Sequence, residues 1–121
     1  MGKETHSVLV VDDDKDIREI ICDVLNDEGY RTVAAADGEE ALELLRHGGP
    51  YCLVLLDLMM PVKDGWTFRQ EQQADPAIAD VPVFVVTAAG SPDRTQLGAI
   101  KGILHKPVNF KDLLGAVQAF C

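Results

Sequence analysis

The chain has 121 residues, 47% of them hydrophobic, with 20 acidic against 11 basic side chains and a formal net charge of −9. That length suits one domain, with a core expected over about residues 7–120, and so acidic a surface repels a phosphate backbone, which argues against direct nucleic-acid binding. No apolar run approaches the roughly 18 residues of a membrane span, and the polar lead Met1–His6 begins no apolar leader, so a cytoplasmic protein without membrane contact is expected. Cys22, Cys52 and Cys121 lack metal or redox spacing and are expected as free thiols.

The first apolar run, Val8–Val11, ends on Asp12 and Asp13. In Lys15–Glu28 the residues Ile17, Ile20, Ile21, Val24 and Leu25 recur with helical period, which predicts an amphipathic helix with Arg18, Glu19, Asp23 and Asp27 toward water. Asp14 suits its N-cap and Gly29 its left-handed C′ position. Arg31–Ala35 reads as a second strand. Gly38–Arg46, apolar at Ala41, Leu42 and Leu45, reads as a helix closed by Gly48, Gly49 and Pro50. Leu53–Leu56 ends on Asp57, and a third helix is expected to begin after Gly65 and stop at Asp75 and Pro76. Val83–Val86 ends on Thr87, and a short, weakly periodic fourth helix is expected near Pro92–Ala99. Ile103–Leu104 runs into His105 and Lys106, and Asn109–Phe120 reads as the last helix on Phe110, Leu113, Leu114 and Val117.

Strictly alternating strands and helices, five of each, predict an α/β fold: a doubly wound, five-stranded parallel sheet in flavodoxin-like order 2-1-3-4-5, with helices on both faces. Runs of Val and Leu without polar alternation agree, because both faces of such strands are covered. In this architecture the residues that follow the strands gather at one edge, where ligands bind. Asp12, Asp13 and Asp57 would then be neighbours, joined by Thr87 and Lys106. Crowded carboxylates raise a pKa or recruit a cation, and an oxygen-only donor set favours Mg²⁺, or Mn²⁺, over Zn²⁺. The electrostatic reading is metal-assisted phosphate chemistry; the bland one is that Asp12–Asp14 cap a helix and Asp57 ends a strand.

Four motifs then appear in order: Val10-Val11-Asp12-Asp13-Asp14, Leu56-Asp57-Leu58-Met59-Met60-Pro61 with Asp64-Gly65, Val86-Thr87-Ala88, and His105-Lys106-Pro107. Together they resemble the receiver domain of two-component response regulators, from Val8 to the last helix. The resemblance implies that Asp57 accepts a phosphoryl group from a histidine kinase or phosphotransfer protein and signals to a downstream effector protein or domain. It implies metal ligation by Asp13, Asp57 and the Met59 carbonyl, with Asp12 acting through a water, and binding of phosphoryl oxygens by Thr87 and Lys106. It also implies a cis Lys106–Pro107 peptide.

His105 should point away from the phosphate, Trp66 should serve packing, and Gly65 should serve a backbone turn. Two departures stand out. Ile103 occupies the position, three before the lysine, where the family carries an aromatic switch, and only 19 positions separate Lys106 from Thr87. Output is therefore expected through the loop from Ala88 to Arg94. A haloacid-dehalogenase-type phosphohydrolase is disfavoured, since Met59 stands where that family needs a second aspartate. A pseudo-receiver acting only as a protein-interaction module is the alternative reading.

Overall fold

The computed structural model describes residues 6–121; the first five residues of the polar lead lie outside the described residues. The chain runs β1 (Ser7–Val11), α1 (Lys15–Asp27), β2 (Arg31–Ala35), α2 (Gly38–His47), β3 (Tyr51–Leu56), α3 (Gly65–Ala74), β4 (Val83–Thr87), β5 (Gly102–His105) and α4 (Phe110–Phe120). All strand pairs are parallel, in the order β2-β1-β3-β4-β5. Successive strand residues point to opposite faces, so each strand feeds two cores. Leu9, Val11, Val54 and Leu56 meet Leu42, Leu45 and Phe68 from α2 and α3. Val8, Val10, Leu53 and Leu55 meet Ile21 and Leu25 of α1 and Leu113 and Val117 of α4.

The helix ends follow local chemistry. The Asp14 side chain accepts from the amides of Asp16 and Ile17, Asp64 accepts from Thr67, and Asn109 accepts from Lys111 and Asp112. Past the end of α1, Gly29 takes φ 90°, the left-handed turn its position requires. Gly65 is needed for a different reason: a Cβ there would lie 2.7 Å from the Asp57 carbonyl oxygen, so α3 starts hard against the end of β3. Among the described residues no helix is long and apolar enough to cross a membrane.

The structure corrects three expectations. First, the expected helix near Pro92–Ala99 is a set of turns, which leaves four helices among the described residues rather than five. The Asp93 side chain captures the Thr95 amide, the amides of Leu97 and Gly98 both bond to the Arg94 carbonyl, and Gly98 ends the turn at φ 69°. With Pro92 at one end, Gly98 at the other and only Leu97 buried between, nothing repays the cost of nucleating a helix. Second, Cys52 and Cys121 are not free but joined in a disulfide, and only Cys22 remains a thiol. The two lie 69 positions apart, and pairing over such a separation depends on how α4 lies against β3, which spacing along the chain does not encode. Third, the apolar stripe of α1 is wider than the face the sheet covers: Ile20 is 49% exposed. Arg18 bends back so that its Nη1 donates to the Asp12 carbonyl at 2.8 Å.

A buried polar hub ties the irregular β4–β5 crossover to α3. Arg69 Nε donates to the Leu97 carbonyl and its Nη1 to Gln72 Oε1, both at 2.6 Å, while Gln72 Nε2 donates to the carbonyls of Ile78 and Val81. Burial pulls the Arg69 pKa below the ordinary guanidinium value. Truncating this residue strips a charged donor from two buried acceptors. Arg69→Ala is expected to cost about 3 kcal/mol of stability, measured as a lowered urea midpoint at unchanged slope.

Candidate functional site

Each side chain of the site stands at or just past the carboxyl end of a strand. The Asp12 amide donates to the Ala35 carbonyl at 3.1 Å, the Asp57 amide to Val11 at 2.9 Å, and the Lys106 amide to Thr87 at 2.9 Å. These bonds extend the sheet by one residue and fix the backbone of every group beyond it. Asp12, Asp13 and Asp57 each offer a carboxylate oxygen, and the three oxygens lie within 4.8 Å of one another. Asp12 and Asp57 are almost fully buried, whereas Asp13 is exposed at the mouth.

Lys106 enters from β5. Its Nζ donates to Asp12 Oδ2 at 2.7 Å and to Asp57 Oδ2 at 3.3 Å. The other oxygen of Asp57 accepts from the Leu58 amide at 2.8 Å and, at 3.5 Å, from that of Met59; Asp12 Oδ1 accepts from Asp14. Thr87, the last residue of β4, is wholly buried, and its hydroxyl oxygen accepts from the Ala89 amide at 3.2 Å. Sequence reading brings together Asp12, Asp13, Asp57, Thr87 and Lys106, and the fold gathers all five at one sheet edge.

Around this centre, Asp13, Met59, Met60, Pro61, Asp64 and Trp66 line a cleft of about 460 Å³. The Met59 side chain is 62% exposed at its rim. Trp66 is half-buried, packed on the α2–α3 core while it borders the cleft. His105 stands exposed, with Nε2 3.0 Å from the Gly90 carbonyl, and takes no part in the acidic cluster. Ile103 packs against the α2–α3 core. The peptide between Lys106 and Pro107 is cis, as is that between Gly49 and Pro50.

Two features of the surroundings were not read from the sequence. Lys63 Nζ bridges Glu39 of α2 and Glu71 of α3 at 2.8 and 2.6 Å, which anchors the loop between β3 and α3. An apolar groove lined by Ile17, Ile20, Ile21, Pro107, Val108 and Phe110 shares Lys106 with the acidic cluster. Ile20 and Phe110, 49% and 41% exposed, are its signal: apolar residues on helical stripes that the sheet leaves uncovered.

Three carboxylates against one ammonium leave excess negative charge in a partly buried site. Burial, followed by repulsion from Asp12, raises the pKa of Asp57, and the attraction of Lys106 offsets this only in part. Burial by itself would pull Lys106 down, but its hydrogen bond to Asp12 and the charges of both aspartates carry it above the ordinary lysine value, so it stays an ammonium. An all-oxygen donor set with carboxylates in mutual repulsion suits a hard divalent cation, so these residues fit Mg²⁺.

The chain matches the response regulator receiver domain family over residues 8–118 and belongs to it. It is 41% identical over 116 residues to a probable transcriptional regulator, ycf27, of Guillardia theta, a match that takes in 93% of this chain and 44% of that protein. The chain thus spans about half the length of the curated relatives it matches. Among solved structures, the Vibrio cholerae chemotaxis protein CheY4 overlays with a TM-score of 0.85 at 32% identity, over 97% of this chain and 99% of that one. The receiver domain of a Pseudomonas aeruginosa sensor histidine kinase, solved with a magnesium ion in its active-site cleft, overlays with a TM-score of 0.85 at 25% identity, over 96% and 97%.

The charge balance makes a prediction. A carboxyl whose folded pKa is raised binds its proton more tightly in the native state, so stability falls as pH climbs from the unfolded value, about 3.9, through the folded one. At neutral pH the ionised Asp57 therefore costs stability. Asp57→Asn is expected to melt at a higher temperature than wild type at pH 7 in chelator, with the gain vanishing below about pH 4, where the wild-type carboxyl is neutral as well.

Proposed function

We propose that Asp57 accepts a phosphoryl group from the phosphohistidine of a histidine kinase or phosphotransfer protein, and that the chain passes this state to a downstream effector protein or domain. The observation that carries this reading is the placement of Asp57: a buried carboxylate, its pKa raised, within hydrogen-bond reach of Lys106 and beside two further carboxylates. Asp57 Oδ2 forms the new P–O bond as the P–N bond to the donor imidazole breaks, and the electron pair leaves with the ring nitrogen. No general base is needed, because the attacking group is the carboxylate form of Asp57.

Lys106 moves from pairing two carboxylates to binding a phosphoryl oxygen, and the Thr87 hydroxyl donates to another. Asp13, Asp57 and the Met59 carbonyl, with Asp12 through a water, would hold Mg²⁺ or Mn²⁺. When bound, the ion supplies the positive charge that neutralises the phosphoryl oxygens. The remaining work is positioning, which the extended sheet performs by fixing each backbone. Slow loss of the group by attack of water restores the carboxylate. The cytoplasm is the compartment this chemistry assigns, since a kinase and its phosphodonor supply reside there.

Output runs through residues 88–94. The Thr87 hydroxyl accepts from the Ala89 amide, so turning that hydroxyl to donate to a phosphoryl oxygen releases the loop backbone directly. Ile103 has no hydroxyl-bearing ring with which to report the same movement.

With acetyl phosphate and Mg²⁺, wild type is expected to gain a phosphoryl mass of about 80 Da, and Asp57→Asn is expected to gain none; an undiminished adduct in the variant overturns the assignment. With beryllofluoride, hydrogen exchange is expected to change across residues 88–94, and change confined to residues 109–120 overturns the loop route.

The groove beside Lys106 is the docking surface this reading assigns to the phosphodonor protein. Its apolar wall runs into the acidic cluster through a shared residue, so a helix seated there delivers a phosphohistidine to Asp57. Ile20→Ala and Phe110→Ala are each expected to slow transfer from a phosphorylated kinase about tenfold, a loss of roughly 1.4 kcal/mol of apolar contact, while the rate with acetyl phosphate is unchanged.

A further inference from the structure

We propose that Cys52 and Cys121 are a reversible redox pair, a modification site for a low-molecular-weight thiol/disulfide couple that sets how firmly α4 is held to the sheet. The two residues are bonded with their Cα atoms 5.4 Å apart. Cys52 is the second residue of β3, near the end of the strand opposite to Asp57, and Cys121 directly follows α4. The bond therefore lies away from the acidic cluster.

Both cysteines are half-buried at the margin of the α1–α4 core, so a small thiol reaches them without unfolding of the chain. In the bonded state Cys52 Sγ lies 3.5 Å from the Ser7 carbonyl oxygen, which would accept its S–H once the bond opens. The Cys121 amide bonds to the Val117 carbonyl at 2.8 Å, so the helical backbone runs on to the cysteine and the bond pulls on α4 itself. Cys22 does not compete: burial raises its thiol pKa, which suppresses the thiolate that attacks disulfides.

Closure is thiol–disulfide exchange. One cysteine thiolate attacks a sulfur of the small disulfide, breaking its S–S bond and releasing one small thiol. The second thiolate then attacks the mixed disulfide at the protein sulfur, forming the Cys52–Cys121 bond and releasing the other small thiol. The two protein cysteines are oxidised, the small disulfide is reduced, and both thiol protons end on the released thiols.

The test equilibrates folded Cys22→Ser protein with oxidised or reduced glutathione, traps thiols by alkylation, and reads intact mass beside hydrogen exchange. No alkylation is expected in oxidised glutathione and two additions in reduced, interconvertible without denaturant, with amide exchange over residues 116–121 about tenfold faster after reduction. Cys121→Ser in oxidised glutathione is expected to exchange like the reduced protein. Two alkylated thiols under oxidising conditions, a stable glutathione adduct in place of the internal bond, or a bond that opens only in denaturant overturns the proposal. Equal exchange at the end of α4 in both states overturns its mechanical part.

Discussion

One ammonium held against two buried carboxylates is the interaction on which this molecule turns. Lys106 arrives on β5 at one side of the sheet, Asp12 and Asp57 on β1 and β3 at its centre, and the 2.7 and 3.3 Å contacts between them close the carboxyl edge. Without Lys106, two carboxylates almost without exposure would face each other and the burial penalty would stand uncompensated. With it, the pair is tolerated but not satisfied, as the raised pKa of Asp57 records. A site left short of positive charge suits a divalent cation, and the proposed phosphoryl transfer rests on that shortfall.

The rest of the fold keeps those groups in place while leaving one connection loose. Three of the four crossovers between strands in chain order are helical, and each is packed on the sheet by buried apolar residues. The crossover from β4 to β5 is a series of turns anchored by Leu97 and by the Arg69 guanidinium bonded to its carbonyl. That anchor sits at the far end of the segment from Thr87, whereas residues 88–94 are held by lighter contacts, the Ala89 amide on the Thr87 hydroxyl and His105 beside the Gly90 carbonyl. A firm hold at one end and a lighter one at the other is the arrangement on which the proposed loop output rests.

Lys106 belongs to two neighbourhoods at once: it pairs with Asp12 and Asp57 in the acidic cluster, and it lines the apolar groove between α1 and the start of α4. Their chemistries differ, charged and hydrogen-bonded in the cluster and apolar in the groove, yet one side chain belongs to both.

Sheet order, the places of the five strands and the meeting of Asp12, Asp13, Asp57 and Lys106 at one edge were legible because they rest on local signals: short apolar runs, each ending on a polar residue, and a cap such as Asp14. Strand-to-edge geometry converts those signals into a cluster without further information. The helix expected near Pro92 failed because its weak periodicity lacked enough buried partners to offset nucleation, a quantity set by what α3 and β5 leave uncovered. Ile20 and Phe110 carry the same apolar character as their buried neighbours, and only the arrangement of α1 against α4 decides that they face a groove. The Arg69–Gln72 hub and the Cys52–Cys121 bond likewise join residues through space. Local propensity and hydrophobic period along the chain determine elements and the edge to which their ends are delivered; the pairing of side chains between elements depends on packing distances, and these exist only once the tertiary structure has formed.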